Sequence, residues 1–438
     1  MAAPPGPRRW GWRRPRSAKQ VAAATAAGGL LLLLIAATLR ALRGPFSPDT
    51  DALRATVVVG VEISRDTPID ADLQNEVRTR FGALRKSFQE LHPAVRLEVL
   101  VLPEEQLLRE VSRRSRSGLG PDVLLVSGDA ANRLHRQGLT EPWGVPSPET
   151  DQLDPGAVAR VRFAPGEIFG LPQSLQPQLA CFDRARLRSS PATLAELLRA
   201  SSEGQRFGLP MDLLNLAWTL GALGALDSMA EVLAGEPVTA LRRSRIAGWL
   251  LWLRSADLQQ RITLAPSQQD LIGRFQAGEL DWITCRSSDI DRLRDRLGSR
   301  LGLAPLPDGP AGPATPISRL RVLALGRDSS PAQRRAARAL AAFAVNPQMQ
   351  RALTLRTQEL LPVNRNVPVP VESFQDLAAL VAAQRQSEAS PALQVLTQPQ
   401  ARFVSQANRI LTRFHYGDLD ITAAADGLIE SLRQGAAP

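Results

Sequence analysis

Aromatic residues are scarce in this 438-residue chain: they total 5%, and Tyr416 is the only tyrosine. Platforms that stack on flat ligand faces are correspondingly few. Three histidines, His92, His135 and His415, have neither a partner at i+4 nor C-x-x-C company, so a zincin-type metal site is excluded. No P-loop, G-x-G-x-x-G or G-x-S-x-G segment occurs, which removes the motif-borne nucleotide and hydrolase chemistries. Only the abundance of Asp and Glu leaves a carboxylate pair open. Lys19 and Lys86 are the only lysines among 53 basic residues. Such an arginine bias reads as genome composition, not as a phosphate-binding face. Eight of those 53 precede the first acid, Asp49, leaving 45 basic against 43 acidic residues from Gly44 onward. A nucleic-acid partner is therefore not expected. With 44% apolar and 22% charged residues the chain is not disordered, and its length suits two or three domains.

The local excess of charge sits beside an apolar run. Val21 to Leu39 holds 19 uncharged residues, roughly 28 Å as a helix, about one hydrocarbon thickness. Basic residues dominate its leading side, so the N-terminus (1–20) is expected in the cytoplasm and the chain beyond a linker (40–55) outside. The competing reading is a cleaved signal with an apolar core at Leu30–Ala37. No clean A-x-A site follows, and no cysteine follows to carry a lipid. Both readings export the chain. Cys181 and Cys285 are the only cysteines. An exported pair can bridge, yet both lie in apolar strand-like runs, QLACF and LDWITC, where a free Cys commonly packs as a small core residue.

Along the exported part, TVVVGVEI (Thr56–Ile63) reads as a strand buried on both faces. Val77, Phe81, Leu84, Phe88 and Leu91 follow at helical spacing until His92-Pro93. VRLEVLVL (Val95–Leu102), a helix at Leu107–Val111 and GLGPDVLLV (Gly118–Val126) complete a β-α-β-α-β order, which predicts a parallel doubly wound sheet. Ligands of such sheets bind beyond the carboxyl ends of strands. That points to Glu62, Ser64, Arg65 and Asp66 after the first strand, and to Ser127, Asp129 and Asn132 after the third. A polar stretch, Gln173-Ser174-Leu175-Gln176-Pro177, leads into a second α/β series. It contains strands at Leu280–Cys285 and Arg319–Gly326 and a helix begun by Ser330-Pro331. Trp143, Trp218, Trp249, Trp252 and Trp282 lie in apolar surroundings that favour a core role over a sugar platform.

The order of these segments resembles the extracellular solute-binding proteins of ABC importers, of the maltose- and oligosaccharide-binding type. Five landmarks carry the resemblance, from Thr56 to the C-terminus. They are GPDVLLVSGDAANRLHRQGLTEPW; GEIFGLPQSLQPQLACFDRARLRSSPATLAELL; FQAGELDWITC; LAPLPDGPAGP with NPQMQRAL and LLPVNRN; and the final helix pair around Gly417. The family implies two α/β lobes, 56–176 with 306–350 and 177–305 with 351–438. Hinge crossings are then expected near Pro172–Gln178, Ala304–Pro307 and Met349–Thr354. It implies capture of a polar, carbohydrate-like solute by a monomer that docks on a membrane permease, with no catalytic residue, metal or cofactor. Carried over by motif position, the solute contacts are Ser127, Asp129, Asn132, Gln173, Ser174, Gln176, Asp212, Trp218, Arg286, Ser287, Phe403 and Asn408, beside Glu62 and Arg65. Cys181-Phe182 stands where the family has "Y-Y-N". This loss of rings disfavours a long oligosaccharide and suits a small sugar or polyol. A membrane-anchored sensor that kept the fold without transport is the alternative.

Overall fold

The computed structural model describes residues 53–63, 71–258, 261–388, 390–397 and 401–436. The basic segment 1–20, the apolar span 21–39, most of the linker and Ser64, Arg65 and Asp66 lie outside the described residues. Among the described residues no single helix is long and apolar enough to cross a membrane.

The expected β-α-β-α-β start is present. β1 (Ala55–Ile63) runs parallel to β2 (Val95–Pro103) on one side and β3 (Val123–Ser127) on the other. Val57, Val59 and Val61 are buried, as an apolar run covered on both faces requires. α1 (Ala71–Leu91) buries Leu84 and Phe88 against the sheet, whereas Leu91, expected in the same stripe, is the last helical residue and stays exposed. α2 (Leu107–Ser115) and α3 (Gly128–Arg136) follow, the latter capped by the Ser127 hydroxyl, which accepts from the Ala130 amide.

One strand then joins two parts of the molecule. β4 (Leu171–Asp183) is 13 residues long and belongs to the centre of an 11-stranded sheet. Beyond it come α4 (Leu194–Ser202), β5 (Phe207–Pro210), α5 (Leu213–Ala222), α6 (Leu226–Leu233), α7 (Ala240–Asp257) and β6 (Ile262–Ala265). α8 (Gln268–Gln276), β7 (Trp282–Arg286), α9 (Ile290–Leu297), β8 (Leu301–Ala304) and β9 (Ser318–Gly326) continue the chain. The main sheet order is β6-β5-β7-β4-β9-β3-β1-β2. β5, β6 and β7 are parallel like β1, β2 and β3, but β4 and β9 run antiparallel to their neighbours, so the sheet is mixed. At the end of β9 a Cβ on Gly326 would lie 1.8 Å from the Pro121 carbonyl oxygen. Only glycine lets the strand pass there.

α10 (Pro331–Val345) starts with the expected Ser330 cap, completed by Gln333 as a reciprocal capping box, and Asn346 ends it while capping α11 (Pro347–Thr357). The third crossing falls later than Met349–Thr354. Leu361 and Pro362 (β10) pair with Leu175 and Ser174, and Asn364 bridges to Leu153, all in the first half. Gln350 holds this segment there: its amide nitrogen donates to the Gln173 carbonyl, while its oxygen accepts from the Val363 amide. The chain reaches the second half through α12 (Gln375–Glu388) and α13 (Pro391–Thr397). α14 (Ala401–His415), a left-handed turn at Gly417 (φ 81°) and α15 (Ile421–Ala436), capped by Asp420, close the fold. α5, α6 and α7 with α13 to α15 enclose one apolar core, and the first half shares the other with the α8–α9 face.

Cys181 and Cys285 are joined, contrary to the reading of two small core thiols. In the antiparallel register of β4 and β7, Cys181 faces Ile283 and Cys285 faces Leu179. The two side chains are thus diagonal neighbours on one face, with Cα atoms 5.8 Å apart, within bridging range. Both are fully buried. Because the bond closes 104 residues, the double variant C181A/C285A is expected to lose about 2–4 kcal/mol in urea unfolding. Reductant should break the bond only in the unfolded chain.

Candidate functional site

The carboxyl ends of the parallel strands in both halves converge on one cavity of about 370 Å³. From the first half come Glu62 at the end of β1, Glu104 just after β2 and Ser127 at the end of β3. Gln173, Ser174 and Gln176 of β4 and Arg319 and Arg321 of β9 form its middle. The second half supplies Gln268 and Gln269 at the start of α8, then Arg286, Ser288 and Asp289 where β7 ends, and Arg292 on α9. Thr357 and Glu359 close one side. Between them Gln358 adopts a left-handed backbone (φ 51°), uncommon for a residue with a Cβ, and turns the chain out of α11.

A buried ion pair forms the floor. The Arg321 guanidinium lies 3.1 Å from the Glu62 carboxylate and also donates to the carbonyls of Glu62 and Leu125. Glu62 in turn accepts from the backbone amide and the hydroxyl of Ser127. Both partners are held by several charge-assisted hydrogen bonds, so the pair ties β1, β3 and β9 together. Burial pulls the Arg321 pKa down from its ordinary value, and Glu62 works against that shift.

Two further arginines, Arg286 and Arg319, line the cavity. The closing turn after β7 is fixed by the Arg286 amide, which donates to Asp289 at 3.0 Å. Burial lowers the Arg286 pKa, the positive charge of Arg319 lowers it further, and Asp289, Asp212 and Glu104 oppose both. Arg319 makes no hydrogen bond or ion pair among the described residues. Gln268 is buried at 4% exposure: its Nε2 donates to the Thr284 carbonyl, while its Oε1 accepts nothing among the described residues.

Several residues singled out by sequence are elsewhere. Trp218 and Phe403 are fully buried in the helical core of the second half, because their helices turn the apolar face inward. Asp212 caps α5 through the Asn215 amide, and Asn408 accepts from the Leu213 amide, tying α14 to α5. Ser287 is fully buried, and its neighbour Ser288 lines the cavity instead. Asp129 and Asn132 ride on α3 outside the cavity lining. The protein around Asp129 raises its carboxyl pKa, opposed by Arg133, Arg319 and Arg160. Glu62, Ser127, Gln173, Ser174, Gln176 and Arg286 line the cavity together. Missed from sequence were Glu104, Gln268, Arg292, Arg319 and Arg321. One signal for the last two was legible: arginines at i and i+2 in the otherwise apolar strand SRLRVLALG mark a polar face.

A two-part α/β sheet whose strand ends from both parts share one cavity is the plan of a solute-binding protein. The model of the bacterial extracellular solute-binding protein family matches residues 83–403, and the chain belongs to that family. It is accordingly an extracytoplasmic binding protein, not an enzyme. Solved structures agree in fold. The GacH receptor of Streptomyces glaucescens GLA.O, solved unliganded and with acarbose, has a TM-score of 0.70 at 17% identity, covering 87% of this chain and 98% of that one. Maltodextrin-binding MalE1 from L. casei BL23 scores 0.66 at 16% identity, over 88% of this chain and all of the other. An ABC transporter solute-binding protein from Thermotoga lettingae TMO, bound with alpha-D-tagatose, scores 0.67 at 14% identity, over 87% and 100%. No curated protein sequence matches the chain.

The floor can be tested directly. Replacing Glu62 by Ala leaves Arg321 buried without its carboxylate, and unfolding in urea is expected to show a loss of roughly 3–5 kcal/mol. A loss below about 1 kcal/mol contradicts the role assigned to the pair.

Proposed function

We propose that the protein is the substrate-binding component of an ABC importer, capturing a small polar solute, a sugar or polyol, in the cleft between two lobes. The observation that carries this reading is the cavity itself, lined by hydrogen-bonding side chains from both halves and from the strands between them. Among its described lining residues the only aromatic one is Phe81, on α1, which suits a short solute recognised by directional hydrogen bonds. The lobes close by hinge motion about β4, β9 and α12, and the closed form docks on the permease. The segment 21–39 keeps the protein on the outer face of the cytoplasmic membrane, and it works as a monomer.

A panel of monosaccharides, polyols, their acidic derivatives and short maltodextrins tests the capture step. A true ligand is expected to raise the melting temperature and to reduce the radius of gyration in small-angle scattering, because it binds only the folded, closing form. A panel in which no member moves either signal refutes capture.

A further inference from the structure

We propose that the solute is zwitterionic, its oxyanion received by Arg319 and its ammonium group by Glu104, as an aminated sugar acid or an amino sugar phosphate would offer. The inference rests on the cleft being the site of capture and specifies the chemical class captured there.

Register sets the geometry. On β9, Arg321 is opposite Ser127, the last residue of β3, so Arg319 stands just beyond that carboxyl edge of the sheet. Glu104 stands beyond the same edge, since it follows Pro103, which is opposite Ile63 at the end of β1. The strand order β9-β3-β1-β2 separates the two residues by three strand spacings, roughly 14 Å between their backbones. Both side chains line the cavity and both are half-buried. Between them on the floor lies the Glu62–Arg321 pair. One cation and one anion thus face a single small cavity from opposite sides, held apart by the sheet.

The charges lining the cavity balance, four acids against four arginines, so its walls favour neither sign of net charge. Most of them are engaged. Glu62 and Arg321 hold each other, and Arg286 and Glu359 each interact with other groups. Asp289 accepts from the Arg286 amide, and Arg292, three residues on and of opposite sign, donates to Gln269. That leaves Arg319 and Glu104, whose side chains make no hydrogen bond or ion pair among the described residues. Such half-desolvated charges cost free energy until each is paired. A neutral solute relieves neither and an ion relieves one, whereas a zwitterion relieves both without adding net charge. The forked guanidinium of Arg319 suits a carboxylate or phosphate, and the Glu104 carboxylate suits an ammonium. Gln268 adds a third contact. The Thr284 carbonyl can only accept, so it fixes the amide with Nε2 towards it and leaves the buried Oε1 as an unused acceptor on the cavity wall. It would take a further N–H or O–H of the solute.

Titration calorimetry on the intact exported protein, slightly below neutral pH where amino sugars are protonated, decides the matter. The probes are glucose, glucosamine, gluconate and glucose 6-phosphate against the zwitterions glucosaminate and glucosamine 6-phosphate. At least one zwitterion is expected to bind about tenfold or more tightly than both its singly charged counterparts, the gain of one added charge-assisted contact. Glucosaminate against glucosamine 6-phosphate tells carboxylate from phosphate. Two variants separate the ends of the solute. Arg319→Gln should erase the advantage of the zwitterion over glucosamine, and Glu104→Gln its advantage over the matching acid. Neither should lower the melting temperature of the free protein, since neither side chain has a partner to lose. A singly charged or neutral probe binding as tightly as both zwitterions, or variants that leave both advantages intact, overturns the zwitterionic assignment and leaves capture standing. Silence from every probe, while a member of the wider panel moves the melting temperature, overturns this assignment alone; silence from both sets overturns capture as well.

Discussion

The molecule depends on the pairing of one strand with partners from both of its halves. β4 gives Leu171–Pro177 to β9 and Gln178–Asp183 to β7 and β8. Main-chain hydrogen bonds of a ladder are short, directional and collectively strong, so β4 fixes the register of everything beside it. From that register follows the place of Arg319 next to Gln176, of Arg286 next to Gln178 and of the bridged cysteines. A relative motion of the two halves has to bend this ladder and α12, because breaking it would leave buried amides and carbonyls unpaired.

The cleft is walled largely by charged and hydrogen-bonding side chains. Its walls divide into two kinds of polar group. Glu62, Ser127 and Arg321 bond to one another and to nearby main chain and act as scaffold. Arg319, Gln268 and Glu104 retain bonding capacity that faces the cavity. Tryptophan, the residue best suited to sugar faces, has gone into the core instead: Trp218, Trp249 and Trp282 are all fully buried.

Much of the fold was legible because its elements announce themselves locally. The β1–α1–β2–α2–β3 series and the Ser330 cap are set by period and capping chemistry within a few residues. Cleft residues at strand ends, such as Glu62 and Ser127, followed from the rule that parallel strands offer their carboxyl ends. What escaped was set by distant partners. Whether Cys181 meets Cys285 depends on the register of β4 with β7, and a slip of one residue would point them to opposite faces. The return of 351–367 to the first half depends on Gln350 gripping Gln173 and Val363, a contact with no local signature. Trp218 and Phe403 were misplaced because motif position fixes a helix along the chain but not its rotation about its axis.

The order in which β3 finds its neighbour bears on how the protein matures. Val123–Ser127 is flanked by β9, whose residues Arg321–Leu325 lie almost two hundred positions downstream. The half that emerges first from the export channel therefore cannot finish first: one margin of its sheet stays bare until most of the polypeptide has crossed. Such a margin is sticky towards other extended chains. Efficient secretion of this protein therefore requires that this unfinished margin be shielded, by slow folding or by a holding chaperone, until its last strand arrives.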